Sequence, residues 1–260
     1  MKPLNSSYRL FLGIAGVAVA LLIWQFVLPA MLNTRAPVVA TFTQALGAAF
    51  ELVFGNFTDA VLPSIYRILV GFGISAVLGI VIGAVLGSIP WLQGLVRPVF
   101  DFLRATPSPI IIPVAIAFLG LNSPLVIGVI VFGSIWPVLI NTTDAIARVE
   151  PQYLDVARVA RMGWLRTMFT VKLPSALPLI LPGLRLTMQL ALVLMVTGEM
   201  LGASSGLGFS LVQAQQSFDI AGTYGGIIVL SIVGFLLDVL LVSLEKKYVR
   251  YDSRAGSSAL

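Results

Sequence analysis

The sequence predicts an all-α integral membrane protein with six transmembrane helices and a cytoplasmic helix–turn–helix between the fourth and the fifth. Three observations carry this. Hydrophobic residues fill 58% of the 260 positions and charged ones only 10%, where a soluble domain carries about 25% charged residues. The apolar residues gather in runs of membrane-crossing length. The cations gather in the segments that alternate runs place on one side.

The first run, residues 10–28, contains no charge. At the helical rise it spans roughly 28 Å, close to the hydrocarbon thickness. Lys2 and Arg9 precede it, as in a signal peptide. It exceeds the usual h-region, however, and PAMLNTRAP after it offers no small-x-small cleavage site, so it reads as an uncleaved first span. Residues 29–60 form an external segment with a short helix near 41–54.

Further spans are read at 61–88, 110–119 with flanking turns, 125–140, 177–201 and 223–244. The third begins TPSPIIIP, and Pro107, Pro109 and Pro113 each remove a backbone donor. Such a broken segment is tolerated at membrane depth only where protein or water meets the freed carbonyls, so it is expected to be enclosed. In the second span Gly71, Ser75, Gly79, Gly83 and Gly87 recur every four residues, a spacing that lets another helix approach closely. That helix lies either in the same subunit or across a dimer or moving interface.

With the N-terminus inside, the cytoplasmic segments hold Lys2, Arg9, Arg97, Arg104, Arg148, Arg158, Arg161, Arg166, Lys172, Lys246, Lys247, Arg250 and Arg254, thirteen of the sixteen cations. Outside lies Arg35, and Arg67 and Arg185 fall within spans. The positive-inside rule then puts both termini of a multi-pass membrane protein in the cytoplasm, with residues 245–260 as a tail. The net charge of +5 is thus explained by loops and calls for no nucleic acid.

Residues 144–174 stand out from these spans. Arg158, Arg161, Arg166 and Lys172 fall within fifteen residues, and the run closes on Leu173-Pro174. Glu150-Pro151 suits a helix start, because proline fits the first turn. Gly163 permits a turn, a second short helix runs toward Val171, and Pro174 and Pro178 mark re-entry into the membrane. A connector this long is expected to be a docking surface.

Chemistry of the enzymatic kind is hard to place. There is no cysteine and no histidine, so the commonest general base and the Cys-based metal sites are missing. Gly202–Gly206, GASSG, matches the pattern of a nucleophile elbow, but it follows no strand and has no histidine partner. No phosphate-cradling Gly-x4-Gly-Lys-Ser/Thr occurs, so any ATP must be bound by a partner.

Charges inside spans are costly and need partners. Depth permits two pairs, Arg67 with Glu199 and Arg185 with Asp238. On a helical wheel Arg185, Gln189, Val196 and Glu199 fall within about 80°, a polar stripe on the fifth span. The charges either fix packing or line a pathway that meets an anion.

The insert resembles the cytoplasmic loop of the permease subunits of bacterial binding-protein-dependent type I ABC importers. That loop runs Glu-Ala-Ala, three residues, Gly, nine residues, Ile-x-Leu-Pro. Here Asp155-Val156-Ala157 is followed after three residues by Arg161, then by Met162-Gly163, and the run ends Val171-Lys172-Leu173-Pro174. The acid is shortened and Arg161 stands where the family has glycine. SIYRILVGFGIS, RATPSPIIIPVAIAFLG, LPSALPLILPGLRLTMQLALVLMVTGEML, GLGFSLVQAQQSFD and GGIIVLSIVGFLLDVLLVSLEKKYVRY resemble the sulfonate/nitrate/taurine branch, over roughly residues 60–250.

The resemblance implies a single permease domain over 1–260, with a core over 61–244. Asp155, Val156, Ala157, Arg158, Arg161, Met162, Gly163, Val171, Leu173 and Pro174 would then couple to a cytoplasmic ATPase. It also implies a second permease copy, in a homodimer, two ATP-binding subunits that hold ATP and Mg, an extracytoplasmic substrate-binding protein, and no cofactor on this chain. A secondary transporter is the alternative. It requires transport without an ATPase and inverted repeats that the sequence does not display.

Overall fold

A computed structural model describes residues 6–33 and 38–248. Lys2, Arg35, Arg250 and Arg254, the tail beyond 248, and the side chains of Arg9, Lys246 and Lys247 lie outside it. The described residues are helices and short connections, with no strand. Two compact units are formed, Met1–Leu62 with Ser205–Ile232, and Pro63–Ser204 with Val233–Leu260. The stretch 61–244 is therefore not one compact core, because 205–232 groups with the N-terminal residues.

In the first unit α1 (Ser6–Leu22) continues through a π turn, Ile23–Val27, into α2 (Leu28–Leu32). Its apolar window has no buried residue, as suits a helix surrounded by lipid. The polar atoms at its end are tied down. The Trp24 indole N–H donates to the carbonyl of Ala40 at 3.0 Å, and Gln25 Oε1 accepts from the Thr43 N–H at 3.0 Å. The short helix expected near 41–54 is α3 (Phe42–Gly55). Thr41 and Gln44 close a reciprocal capping box at its start, satisfying two donors that the first turn leaves open. α11 (Leu207–Gln216), which the hydropathy pattern did not separate, follows Gly206 at φ 111°. The Gly206 N–H donates to the carbonyl of Asp59 at 2.8 Å.

The second unit is built around α7 (Ser123–Ala147), which packs against α4 (Leu62–Ser88) and α10 (Leu173–Gly202). Small residues bring the backbones together on both sides. A Cβ at Gly71 would lie 2.6 Å from Ile130, one at Gly83 2.7 Å from the carbonyl of Leu139, and one at Gly87 would meet the carbonyl of Thr143. Ser75 Oγ and Ser134 Oγ are 3.0 Å apart. Between the two readings of the four-residue stripe, the contacts run within one chain. On the other side Gly183 faces Asn141, Gly198 faces Val126 and Gly202 faces Leu125. From Val233 onward the unit also contains the last long apolar helix, α12 (Ile220–Tyr248), whose earlier turns belong to the first unit.

The third span differs from expectation. α6 (Ile112–Leu119) has eight residues, about 12 Å, too short to cross alone. α5 (Pro90–Ala105), unforeseen, precedes it, and the two helical stretches meet at 84°. Among the described residues five helices are long and apolar enough to cross a membrane, or six if this bent pair counts as one. The bend has a local cause. Thr106 and Pro107 both take ψ 119°; Thr106 precedes a proline and is pushed out of the helical region. Ser108, just after the break, lies against Gly133 of α7. Ile112 is buried, whereas Ile110 is 64% exposed, so the segment is enclosed on one face only.

Candidate functional site

Two constellations concentrate the polar chemistry, the insert before α10 and the charges within the apolar helices. The insert begins with α8 (Pro151–Val159), with Glu150 at its N-cap and Pro151 in the first turn. Its end carries the two hydrogen bonds of a left-handed helix stop. The Arg161 N–H donates to Arg158 at 2.9 Å and the Met162 N–H to Ala157 at 3.0 Å. Arg161 itself takes φ 49°, a conformation in which a Cβ is crowded. The turn was expected at Gly163. That glycine instead has φ −67° and ψ 161°, extended backbone open to any residue, and caps α9 (Trp164–Thr167). Arg161 makes the turn because its N–H and that of Met162 satisfy two terminal carbonyls of α8.

The second helix does not end before the membrane segment, as Pro174 and Pro178 suggested. α9, a π turn over Met168–Lys172 and α10 form one continuous run. The π turn moves the hydrogen-bond register to i→i−5, with Leu173 N–H donating to the carbonyl of Met168. This widened turn comes just before Pro174, whose ring needs room and has no N–H to give.

Burial shows what anchors the insert and what it presents. Met168 is buried in a cluster with Ala84, Ala145, Ile146 and Ala176, and Leu173 packs against that cluster. Lys172 Nζ donates to Ser88 Oγ at the end of α4, at 3.0 Å. Ala157 is buried as well. Val156, Val159, Trp164, Leu165 and Phe169 are exposed, Val159 to 87%. Arg158 and Asp155 pair at 3.0 Å, both well exposed. Of the ten insert positions singled out in the sequence, Ala157 points inward, and Met162, Val171 and Leu173 are half-buried.

In the helices, Arg67 Nη1 lies 2.7 Å from Glu199 Oε1, with 3% and 0% of the side chains exposed. Arg67 Nε donates to Ser123 Oγ at 3.0 Å. Ser64 Oγ lies 2.9 and 2.8 Å from the two Glu199 oxygens. The network joins α4, the start of α7 and α10, and the charges are matched away from any surface of this chain. Arg185 Nε and Asp238 Oδ1 are 3.2 Å apart and 44% and 40% exposed. The expected polar stripe lies on one continuous helix, α10, but its exposure changes along its length. Gln189 is exposed, Val196 half-buried and Glu199 buried, because α7 covers α10 at Gly198 and Gly202. The nucleophile-elbow pattern Gly202–Gly206 is a turn between helices α10 and α11, with no strand before it.

These features define a multi-pass helical membrane protein. It neutralises its internal charges and presents one basic, apolar-tipped helix–turn–helix. The family described as binding-protein-dependent transport system inner membrane component matches residues 75–250, and the chain belongs to it.

A Bacillus subtilis (strain 168) permease named for aliphatic sulfonate transport is 32% identical, with 96% of this chain and 91% of that protein covered. The nitrate import permease protein of Synechocystis sp. is also 32% identical, covering 97% and 95%. A bicarbonate transport system permease protein of Synechocystis sp. is 31% identical over 94% and 92%. Among solved structures, inward-facing conformations of the MetNI methionine ABC transporter share the fold. The TM-score is 0.67 at 18% identity, over 77% of this chain and 99% of that one.

Proposed function

We propose that this chain forms the translocation pathway of an ATP-driven importer for a small anion of the sulfonate, taurine, nitrate or bicarbonate kind. The observation that carries the substrate class is common chemistry. Relatives aligned over more than 90% of both chains are named for aliphatic sulfonates, nitrate and bicarbonate, all small oxyanions. Arg67 and Arg185 each face an acid, so neither supplies an unmatched charge to such an anion. In this reading selection falls to the external binding protein.

The N- and C-termini and residues 144–174 lie in the cytoplasm. The insert docks an ATP-binding subunit that holds ATP and Mg. Two copies of this chain enclose the pathway. Support for the docking role comes from the exposed apolar tips of the insert and from its anchor, Met168, in the cluster shared by α4, α7 and α10. A push on the turn thereby reaches the helices.

The test is purification of the tagged chain from its native membrane, followed by reconstitution with the ATPase that co-purifies and with the external binding protein. Uptake of labelled sulfonate, taurine, nitrate and bicarbonate is then measured with and without internal ATP. ATP-dependent uptake of one of them is expected. Uptake driven by an ion gradient without the ATPase would establish the secondary-transporter alternative instead.

A further inference from the structure

We infer that Arg161 is a recognition residue for this chain's own ATPase, its guanidinium pairing with a carboxylate on the ATP-binding subunit. The inference rests on the docking role proposed above and names the residue and the chemistry of the contact.

Arg161 sits at the apex of the insert, exposed, with φ 49°. Left-handed backbone is unfavourable for a residue with a Cβ and free for glycine. The turn is nonetheless held by two hydrogen bonds of 2.9 and 3.0 Å, so the side chain leaves the backbone from one defined point. Nothing among the described residues explains an arginine here. Among the described residues Arg161 makes no ion pair, whereas Arg158 is paired with Asp155. Backbone strain kept at an exposed site without an internal contact points to an external one.

The neighbourhood specifies that partner. Between residues 150 and 174 the chain has four cations, Arg158, Arg161, Arg166 and Lys172, and two acids, Glu150 and Asp155, an excess of 4 − 2 = +2. Val159 and Trp164 flank Arg161 in sequence and are 87% and 54% exposed. A complementary surface is therefore acidic at its rim and apolar within, as a protein cleft is. Anionic lipid headgroups also attract cations. A fluid layer of them is served by any cation in relaxed backbone and has no use for a guanidinium held at one strained point. A fixed carboxylate does, because the planar fork of arginine meets it through two parallel hydrogen bonds.

The experiment compares the wild type, R161G and R161K as full-length chains in nanodiscs. The probe is the ATP-binding subunit that co-purifies with the wild type, and its association is measured at low and high salt. R161G should raise the Tm of the chain yet weaken association about tenfold at low salt and flatten its salt dependence. R161K, which keeps the charge and the strain but loses the planar fork, should recover the salt dependence and only part of the affinity. Association of R161G as tight as that of the wild type would overturn the inference, as would a fall in its Tm. So would an effect present in phosphatidylglycerol nanodiscs and absent in phosphatidylcholine ones, which would assign Arg161 to lipid. If no ATPase associates with the wild type at all, the docking reading itself fails, a result distinct from equal binding by wild type and R161G.

Discussion

Arg67 and Arg185 both lie in apolar helices opposite an acid, yet their surroundings give the two pairs different weight. Arg67 and Glu199 are 3% and 0% exposed, so removing one leaves the other without water or counter-charge. Arg67→Ala and Glu199→Ala should each lower stability by about 3–5 kcal/mol. The double variant should cost less than their sum, because the second removal discards a charge already stranded. Thermal unfolding of the four forms of the cycle checks this, and additive losses would disprove the coupling. Arg185 and Asp238 are 44% and 40% exposed and meet through one contact. Both nevertheless lie in apolar spans, so Arg185→Ala strands Asp238 and should cost about 2–3 kcal/mol by the same measurement; an unchanged Tm would show that this stretch faces water. At the turn, an added Cβ at Gly163 meets nothing within 4 Å and its φ is not left-handed. Gly163→Ala should leave the stability unchanged within about 0.5 kcal/mol. Depth along the spans was enough to pair these four charges from the sequence. How far each pair is buried was not, because burial depends on which neighbours cover α10 along its length.

At the scale of elements, α4 offers a test within a single helix. Gly73 has open space around an added methyl group, whereas one at Gly83 would sit 2.7 Å from the carbonyl of Leu139, a backbone atom that cannot turn aside. Gly73→Ala should gain about 0.5–1 kcal/mol from helix propensity. Gly83→Ala should lose about 1–3 kcal/mol through overpacking against α7. If both change the Tm equally and in the same direction, the close α4–α7 approach is wrong. The recurrence of small residues was legible because period and residue size are properties of the chain. The identity of the partner was not, since a neighbour in the same subunit and one in another ask for the same glycines. α5 escaped because Arg97 and Arg104 placed that stretch in a cytoplasmic segment between spans. Its half-buried positions Leu92, Val96, Phe100 and Leu103 nevertheless follow helical spacing.

For the whole molecule the open quantity is the number of crossings. Gly47 and Gly163 lie on either side of α4, the bent α5–α6 pair and α7 in the chain, and an added Cβ at either meets nothing. The chain has no cysteine, so Gly47→Cys and Gly163→Cys are clean probes. If the bent pair crosses, three passages separate the two positions and an impermeant thiol reagent should label them from opposite sides. Labelling from the same side would make the pair re-entrant and remove one crossing. The isolated chain should also bind no nucleotide, since it lacks a phosphate cradle. Equilibrium dialysis with labelled ATP checks this, and stoichiometric binding would contradict it.

By itself the sequence determined the fold class, the positions of five long spans and the resemblance of the insert to a docking loop. Hydrophobic run length, charge placement and proline positions are local quantities, and a bilayer imposes its thickness on all of them. Tertiary structure decided what those quantities leave degenerate. It turned the Thr106-Pro107 step into an 84° bend and carried the helix straight through Pro174 by a π turn. It also placed the left-handed residue at Arg161 rather than Gly163. In each case the outcome was set by where the hydrogen bonds of neighbouring turns could close. That depends on the packed arrangement and not on the preference of any one residue.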